Sequence, residues 1–175
     1  MSQCLLPGAG PTFRPLTRAD LPTLHGWLQR PHVAEWWRAP TTLDELEDDY
    51  FSATALASST RPCIALLDAE PIGFIQSHVA LDSGGGWWED ETDPGTRGID
   101  QFLADAARLG RGIGSAMVDA FARHLFANPA VTKIQTDPSP DNERAIRCYR
   151  RARFVDRGEI VTPDGPALLM VRDRP

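Results

Sequence analysis

The stretch Arg111-Gly112-Ile113-Gly114-Ser115-Ala116 opens a strongly helical pattern that continues to Phe126. Small residues at the start of a helix leave backbone N–H groups free to face an anion, and the helix dipole adds to the attraction. No Lys-Ser/Thr follows the glycines, as it would in a phosphate-binding P-loop, and the G-x-G-x-x-G spacing of a dinucleotide fold is absent. Residues 111–116, here called the cradle, therefore predict a pyrophosphate site of another kind.

The segments on either side of the cradle alternate between strand and helix patterns. Upstream, strands are predicted at 12–16, 62–67, 72–80 and 98–103, and the capping boxes Thr17-x-x-Asp20 and Thr42-x-x-Glu45 predict helices reaching 28 and about 57. Downstream, strands at 131–136, 154–161 and 168–171 surround a helix at 142–152. We expect an α/β protein in which residues 1–11 are an N-terminal tail and residues 12–175 form one domain, with a single mixed sheet covered by helices.

The net charge of −6 is concentrated in one segment. Residues 82–105, here called the acidic segment, hold seven acids and only one base, Arg97. Such a charge disfavours nucleic acid and anionic membrane surfaces as partners, and it favours a cationic small molecule. A solvated acidic loop is the alternative interpretation.

Cysteine and histidine usage predicts the cellular setting and the absence of a metal. Cys4, Cys63 and Cys148 are odd in number and scattered, which is typical of reduced thiols in a cytoplasmic protein. The four histidines show no ligand spacing, so no metal is implied. The N-terminus lacks a basic stretch and no apolar run could cross a bilayer, so we expect neither a signal peptide nor a membrane span.

A second motif follows the cradle after an intervening strand. Asn142-x-x-Ala145-x-x-x-Tyr149 lies on the helix predicted at 142–152. Together with the R-x-x-G-x-A pattern of the cradle, it resembles the acetyl-CoA site of the GNAT acetyltransferases. The resemblance implies a mostly antiparallel sheet with helices on both faces, a splayed cleft and acetyl-CoA as cosubstrate. The implied cofactor-binding residues are Gln101, Leu103, Arg111, Gly112, Ile113, Gly114, Ser115, Ala116, Asn142 and Ala145.

Further motifs narrow the resemblance to one family. They occur in order along residues 12–172 and include Glu35-Trp36-Trp37, Gly86-Trp87-Trp88-Glu89, Arg97-Gly98-Ile99-Asp100-Gln101, Lys133-Ile134-Gln135-Thr136-Asp137-Pro138 and Thr162-Pro163-Asp164-Gly165-Pro166. This set closely resembles the bacterial aminoglycoside 6′-N-acetyltransferases, the resistance enzymes that inactivate drugs of the kanamycin and tobramycin type. The residues that the resemblance places at or beside the drug are Gln76, Ser83, Asp137 and Asp164, together with Asp100. Trp37, Trp87 and Trp88 offer flat amphipathic faces for its sugar rings, and core packing is the alternative for each of them.

The resemblance also implies two catalytic residues. An amine attacks a thioester only as the free base, so Asp100 is the expected general base, acting directly or through a water. Its alternative role is a strand-edge carboxylate that caps a loop. Tyr149 is the expected general acid for the departing thiolate of CoA, and core packing is its alternative or additional role.

The chain departs from the family pattern at three positions. Gly85 stands where an Asp is frequent and Ser58 where a Glu is common, so each removes a possible contact with a cation. Arg153 replaces a glycine after the last helix, where it must adopt a left-handed conformation or end the helix differently. The alternatives left open are an acyltransferase for another amine or a hydroxylamine, of the siderophore type, and a non-catalytic acyl-CoA or drug-binding protein. We expect a monomer or a weak homodimer.

Overall fold

Seven strands form one continuous sheet in the computed structural model, which describes residues 10–38 and 42–175. In chain order they are β1 (Thr12–Pro15), β2 (Arg61–Leu67), β3 (Glu70–Val79), β4 (Thr96–Leu103), β5 (Lys133–Thr136), β6 (Val155–Thr162) and β7 (Gly165–Asp173). Their order in the sheet is β1-β2-β3-β4-β5-β7-β6, and only the β4–β5 pair is parallel. The expected mixed, mostly antiparallel sheet is confirmed.

Helices cover both faces of this sheet. They are α1 (Leu21–Leu28), α2 (Pro31–Ala34), α3 (Leu43–Phe51), α4 (Ala53–Ala57), α5 (Ile113–Phe126) and α6 (Glu143–Arg151). Neighbouring residues of β3 point to opposite faces, so Ile75 packs in the cluster that contains Met117 of α5, while Phe74 packs with Leu24 of α1. Because both faces are covered at this point, β3 carries apolar side chains on both sides here.

The parallel pair opens into a gap. Thr96–Gly98 of β4 pair with Lys133–Gln135 of β5, and β4 then continues to Leu103 while β5 ends at Thr136. The hydroxyl of Tyr149, a residue of α6, interacts with the side chains of Thr136 and Gln101 on the two diverging strands. The splayed cleft expected from the resemblance is present between these strands.

The helix predicted from the Thr42 capping box is interrupted. The box itself is present, since the Thr42 amide donates to Glu45 Oε2 at 3.0 Å and the Glu45 amide donates to Thr42 Oγ1 at 3.2 Å. However, α3 ends at Phe51, because Ser52 is extended and its hydroxyl accepts from the Ala55 amide at 3.2 Å. Serine competes with the helix in this way and starts α4 as a new one.

Other element boundaries differ modestly from the sequence prediction. The Thr17 motif forms a 3₁₀ turn over Arg18–Asp20, and α1 begins after it at Leu21, with proline in its first turn. The short helix α2 was not predicted. Strands β4 and β7 are longer than expected. Residues 1–9 of the predicted tail, including Cys4, lie outside the described part of the chain.

Candidate active site

A first cleft of about 310 Å³, here called the cradle cleft, lies beside the start of α5. Its floor is the end of β4, one wall is α6, and the opposite wall includes α2. Gly110 and Gly112 have φ values of +72° and +81°, and a Cβ at either position would point into open space. These two glycines therefore allow a left-handed approach to the helix without filling the space in front of it.

The first turn of α5 supplies the backbone donors of the cradle. Amides at the start of a helix have no acceptor four residues earlier within the helix. The Ala116 amide, by contrast, already donates to the Gly112 carbonyl at 3.0 Å. The donors available to an anion are therefore those of Ile113, Gly114 and Ser115.

Most of the predicted cofactor residues line the cradle cleft. These are Gln101, Leu103, Gly112, Gly114, Ser115, Asn142 and Ala145. The Asn142 side-chain oxygen caps α6 by accepting from the Ala145 amide at 3.1 Å, which leaves its amide nitrogen as a donor toward the cleft. Arg111, Ile113 and Ala116 are not among the lining residues, so their side chains are placed elsewhere.

One wall of the cradle cleft is basic, which the sequence reasoning missed. Arg144, Arg147 and Arg151 lie at spacings of three and four residues, on one face of α6, and all three line the cleft. Within the described residues, Arg147 forms an ion pair with Glu143 at 2.9 Å, whereas Arg144 and Arg151 form none. The spacing of three and four residues predicts that the arginines share one face of the helix. The positive charge of that face suits a polyanionic ligand such as a CoA thioester.

A second cleft of about 980 Å³, here called the acidic cleft, opens on the other side of β4. Three of its lining residues are carboxylates: Asp82, Asp100 and Asp137. Gln76 and Asp100 are cross-strand partners on β3 and β4, and Gln76 Nε2 donates to Asp100 Oδ2 at 3.0 Å. The predicted residues that line this cleft are Gln76, Ser83, Trp87, Trp88, Asp100 and Asp137.

Several polar residues of the acidic cleft were not predicted as site residues. His78 follows Gln76 on the same face of β3, and Thr54, Ser58, Ser59 and Thr60 come from α4 and the segment after it. Period-two alternation along β3 would have found His78. The α4 segment carries no such signal, because tertiary packing alone brings it to the cleft.

Burial and neighbouring charge act strongly on Asp137. Its carboxylate accepts a hydrogen bond from Trp88 Nε1 at 3.0 Å. Burial raises the pKa of Asp137 to about 7, with a further contribution from the charge of Asp100, and the Trp88 hydrogen bond opposes this rise. Burial likewise raises the pKa of Tyr149 above its usual value, so that its hydroxyl holds its proton at neutral pH.

The two clefts meet across β4. Asp100 lines the acidic cleft and the adjacent residue Gln101 lines the cradle cleft, because successive side chains of a strand point to opposite sides. The Tyr149 hydroxyl reaches Gln101 from the gap between β4 and β5. A carboxylate, a phenol and an anion cradle are thus grouped around a few residues of one strand.

Two predicted drug residues lie outside the acidic cleft. Trp37 lines the cradle cleft, with its ring 5.3 Å from that of Phe102 and 5.8 Å from that of Phe74 in edge-on contacts. Asp164 lies in the β6–β7 turn and pairs with Arg38 at 3.1 Å, where both side chains are at least half exposed. Trp37 was expected to be a flat wall for a sugar ring and Asp164 was assigned by resemblance, and neither argument carries information on these local partners.

The carboxylates of the acidic segment lie in several different surroundings. Glu91 pairs with Lys133 at 2.9 Å, Asp93 accepts from the Gly95 amide at 2.8 Å, and Asp105 caps a 3₁₀ turn. Glu89 and Asp90 line a separate cleft beside β6 and β7. Glu91, Asp93 and Asp105 thus stabilise the loop, and Glu89 and Asp90 face a different cleft from the one that Asp100 lines.

Metal-binding clusters and membrane-spanning helices are both absent from residues 10–38 and 42–175. No group of three or more His, Cys, Asp or Glu side chains there is arranged to hold a metal ion. None of the helices in the same part of the chain has the length and apolarity to cross a membrane. Cys63 and Cys148 are free thiols.

Comparison with known proteins agrees with this geometry. The model of the acetyltransferase (GNAT) domain matches residues 17–162. An aminoglycoside N(6′)-acetyltransferase type 1 from Klebsiella pneumoniae is 53% identical over 166 residues, which cover 93% of this chain and 83% of that protein.

Two solved structures are similarly close. AAC(6′)-Ib in complex with paromomycin and acetyl-CoA superposes with a TM-score of 0.90 at 53% identity, covering 95% of this chain and 94% of the other. AAC(6′)-Ib in complex with coenzyme A and kanamycin gives a TM-score of 0.89 at 54% identity, with 94% and 95% coverage. The chain belongs to the GNAT acetyltransferases and, within them, to the family of the aminoglycoside N(6′)-acetyltransferases.

Proposed function

We propose that this enzyme transfers the acetyl group of acetyl-CoA to the 6′-amine of aminoglycoside antibiotics and so confers resistance to them. The observation that carries the proposal is the meeting of two clefts of opposite charge at β4, with Asp100 facing the acidic one. A polycationic drug suits the carboxylates of the acidic cleft, and a polyanionic thioester suits the cradle and the arginines of α6. The relatives named above bind both kinds of molecule.

Asp100 is the proposed general base. An aminoglycoside amine is protonated near neutral pH, and it must lose that proton before it can attack a thioester. The hydrogen bond from Gln76 holds one carboxylate oxygen of Asp100 and leaves the other for the ammonium or for a bridging water. Asp137, in the same cleft, is the proposed second carboxylate for the drug.

Tyr149 is the proposed general acid. Acetyl-CoA supplies an activated acetyl thioester, and the leaving thiolate needs a proton. The raised pKa of Tyr149 keeps its hydroxyl protonated, and the hydroxyl lies in the gap between β4 and β5 rather than against solvent. The same ring packs on Phe154 at 5.4 Å, so the residue has a packing role as well.

The decisive experiment follows thiol release from acetyl-CoA with a panel of aminoglycosides. Asp100→Asn should lower kcat for kanamycin by roughly 100-fold or more while largely keeping drug affinity. Asp82→Asn is the matched control, because it removes another carboxylate of the same cleft and should raise KM with little change in kcat. Tyr149→Phe should lower kcat less than Asp100→Asn. Absence of thiol release with every drug would refute the substrate assignment, and near-normal kcat in Asp100→Asn would move the base elsewhere.

The proposed setting is the cytoplasm, where acetyl-CoA is made and where free thiols such as Cys63 and Cys148 stay reduced. The enzyme is proposed to act there as a monomer or a weak homodimer on a small-molecule substrate.

A further inference from the structure

His78 and Gly98 lie directly opposite each other on the antiparallel strands β3 and β4. A Cβ placed on Gly98 would lie 2.4 Å from His78 Nε2 and 2.4 Å from Trp88 Cζ3. The rings of His78 and Trp88 therefore occupy the space that any side chain at position 98 would need. The backbone of β4 is regular at Gly98 and would accept any residue. The two rings, and not the backbone conformation, are therefore what requires glycine at this position.

The two rings are stacked almost parallel. The imidazole of His78 and the indole of Trp88 have centroids 5.5 Å apart and an interplanar angle of 5°. Trp88 has a φ of +47°, which is strained for a bulky residue. A strained backbone persists only when its surroundings hold it, and the imidazole face is one of the surfaces that hold the Trp88 ring.

The far edge of the indole acts on the acidic cleft. Trp88 Nε1 donates to Asp137 Oδ2 at 3.0 Å, and His78, Trp88, Asp100 and Asp137 all line this cleft. The contacts thus form a series from Gly98 through His78 and Trp88 to the Asp137 carboxylate. If the indole tilts, the carboxylate loses its donor and its fixed orientation.

We propose that His78 is a positioning residue, which orients the Asp137 carboxylate for the cationic substrate by holding the Trp88 indole flat over Gly98. This inference rests on the proposed function. It assigns a role to His78, whose effect on the substrate passes through Trp88 to Asp137. The part of His78 that matters is its flat ring face, since the contact with Trp88 is a stack and not a hydrogen bond.

The kinetic test compares two substitutions at the same position. His78→Ala removes the ring and should lower kcat/KM for kanamycin about 3–10-fold, mainly through KM, with the KM for acetyl-CoA unchanged. His78→Phe keeps a flat ring without the imidazole nitrogens and should recover most of this loss. Equal impairment in both variants, or wild-type kinetics in His78→Ala, would overturn the proposal.

A spectroscopic readout separates this proposal from the substrate assignment, because it needs no drug. The indole N–H resonance of Trp88, identified by its loss in Trp88→Phe, should shift with pH as Asp137 titrates beside Asp100 and Asp164. The shift should vanish in Asp137→Asn and persist in His78→Phe, which excludes titration of His78 itself as its cause. In His78→Ala the resonance should move toward the position of a free indole and lose most of its pH dependence. An unchanged resonance in His78→Ala would overturn the proposal even if kanamycin is acetylated normally.

Discussion

Asp137 carries an electrostatic cost that affects the stability of the free enzyme. Its pKa is about 7 in the folded protein and near 3.8 when solvated. Between these values the folded state holds a proton that the unfolded state has released, so stability falls as pH rises from about 4 to 7. A bound ammonium group offsets that cost, because an opposite charge stabilises the carboxylate.

Asp137→Asn should therefore raise the free energy of unfolding of the drug-free enzyme at about pH 8, by an amount on the order of 1–3 kcal/mol. The amide oxygen can still accept the Trp88 hydrogen bond, so the packing is kept. The difference from the wild type should shrink toward zero near pH 4, where both forms are neutral at this position. Thermal unfolding across this pH range measures the effect.

Asp164→Asn is the matched control for this prediction. Asp164 is half exposed and paired with Arg38, and loss of an exposed pair changes stability little. A stability gain at Asp137 that is the same at all pH values would contradict the titration account.

The two predicted drug residues on strands, Gln76 and Asp100, both line the acidic cleft, whereas the loop residues divide. Four of them line the cleft and two do not: Ser83, Trp87, Trp88 and Asp137 against Trp37 and Asp164. Gln76, Asp100 and Asn142 were assigned by resemblance, and regular strand and helix geometry brings them to the two clefts. Trp37 and Asp164 lie near chain segments whose mutual packing no local pattern specifies. His78 was overlooked, although alternation along β3 places it on the same face as Gln76, two residues away.

Among the elements, the start of α5 offers a direct test of the cradle. Gly112→Ala should raise the Kd for acetyl-CoA about 3–10-fold, because a Cβ at a φ of +81° strains the loop and shifts the first amides of the helix. Gly112 is a cleaner position than Gly114, where a Cβ would lie 3.3 Å from Cys148 Sγ and press on α6. Calorimetric titration of acetyl-CoA measures the change.

Gly158→Ala provides the control for the cradle. Gly158 has a φ of +115° with open space around it, but it lies at an irregularity in β6, outside both clefts. The Gly158→Ala variant should lower the free energy of unfolding about as much as Gly112→Ala does, and it should leave the affinity for acetyl-CoA unchanged. Equal losses of affinity in the two variants would mean that general destabilisation, not the cradle, accounts for the effect.

The end of α6 stores a small, removable strain. Arg153 has a φ of +69°, and the Arg153 and Phe154 amides donate to the carbonyls of Arg150 and Tyr149, each at 3.0 Å. This is a helix end that glycine normally occupies. Arg153→Gly should raise the free energy of unfolding by about 0.5–1 kcal/mol, as measured by urea denaturation.

Arg153→Ala separates backbone strain from loss of the arginine side chain. Alanine keeps the Cβ and the strain, so it should give no comparable gain. The contact between Arg153 and Asp119 is long, at 4.0 Å, and its arginine is largely exposed, so its loss should matter little in either variant. Equal stability of the glycine and alanine variants would show that the Cβ carries no cost.

The types of most elements were predictable, because the chain shows clear apolar spacing both at the helical period of about 3.6 residues and at the strand period of two. The helix at 113–126 matches the structure, whereas the helix predicted to reach about 57 is broken at Ser52. A serine can remain in a helix or cap a new one, and the choice depends on tertiary packing that the local sequence does not contain. The short helix α2 was missed because four residues are too few to show a period.

For the whole molecule, net charge describes the partners less well than the distribution of charge. The chain carries −6, yet the carboxylates of the acidic segment divide among the acidic cleft, loop contacts and a third cleft. The cradle cleft, by contrast, has a wall of arginines. The charge of the acidic segment predicted a cationic partner, and Asp82 and Asp100 of that segment line the acidic cleft. The net charge gives no sign of the arginines in the cradle cleft, because the more numerous acids outweigh them.

The two clefts predict that salt weakens the binding of both substrates. Raising ionic strength should increase the KM for kanamycin through screening of the carboxylates and the KM for acetyl-CoA through screening of the α6 arginines.

At low salt, the double variant Arg144→Gln/Arg151→Gln should raise the KM for acetyl-CoA about 3–10-fold and leave the KM for kanamycin unchanged. The same variant should show a flatter dependence of the acetyl-CoA KM on salt. Arg150→Gln is the control from the same helix, because Arg150 pairs with Asp156 and does not line the cleft. An acetyl-CoA KM that does not change with salt in the wild type would contradict an electrostatic role for this wall and leave the cradle backbone as the source of cofactor affinity.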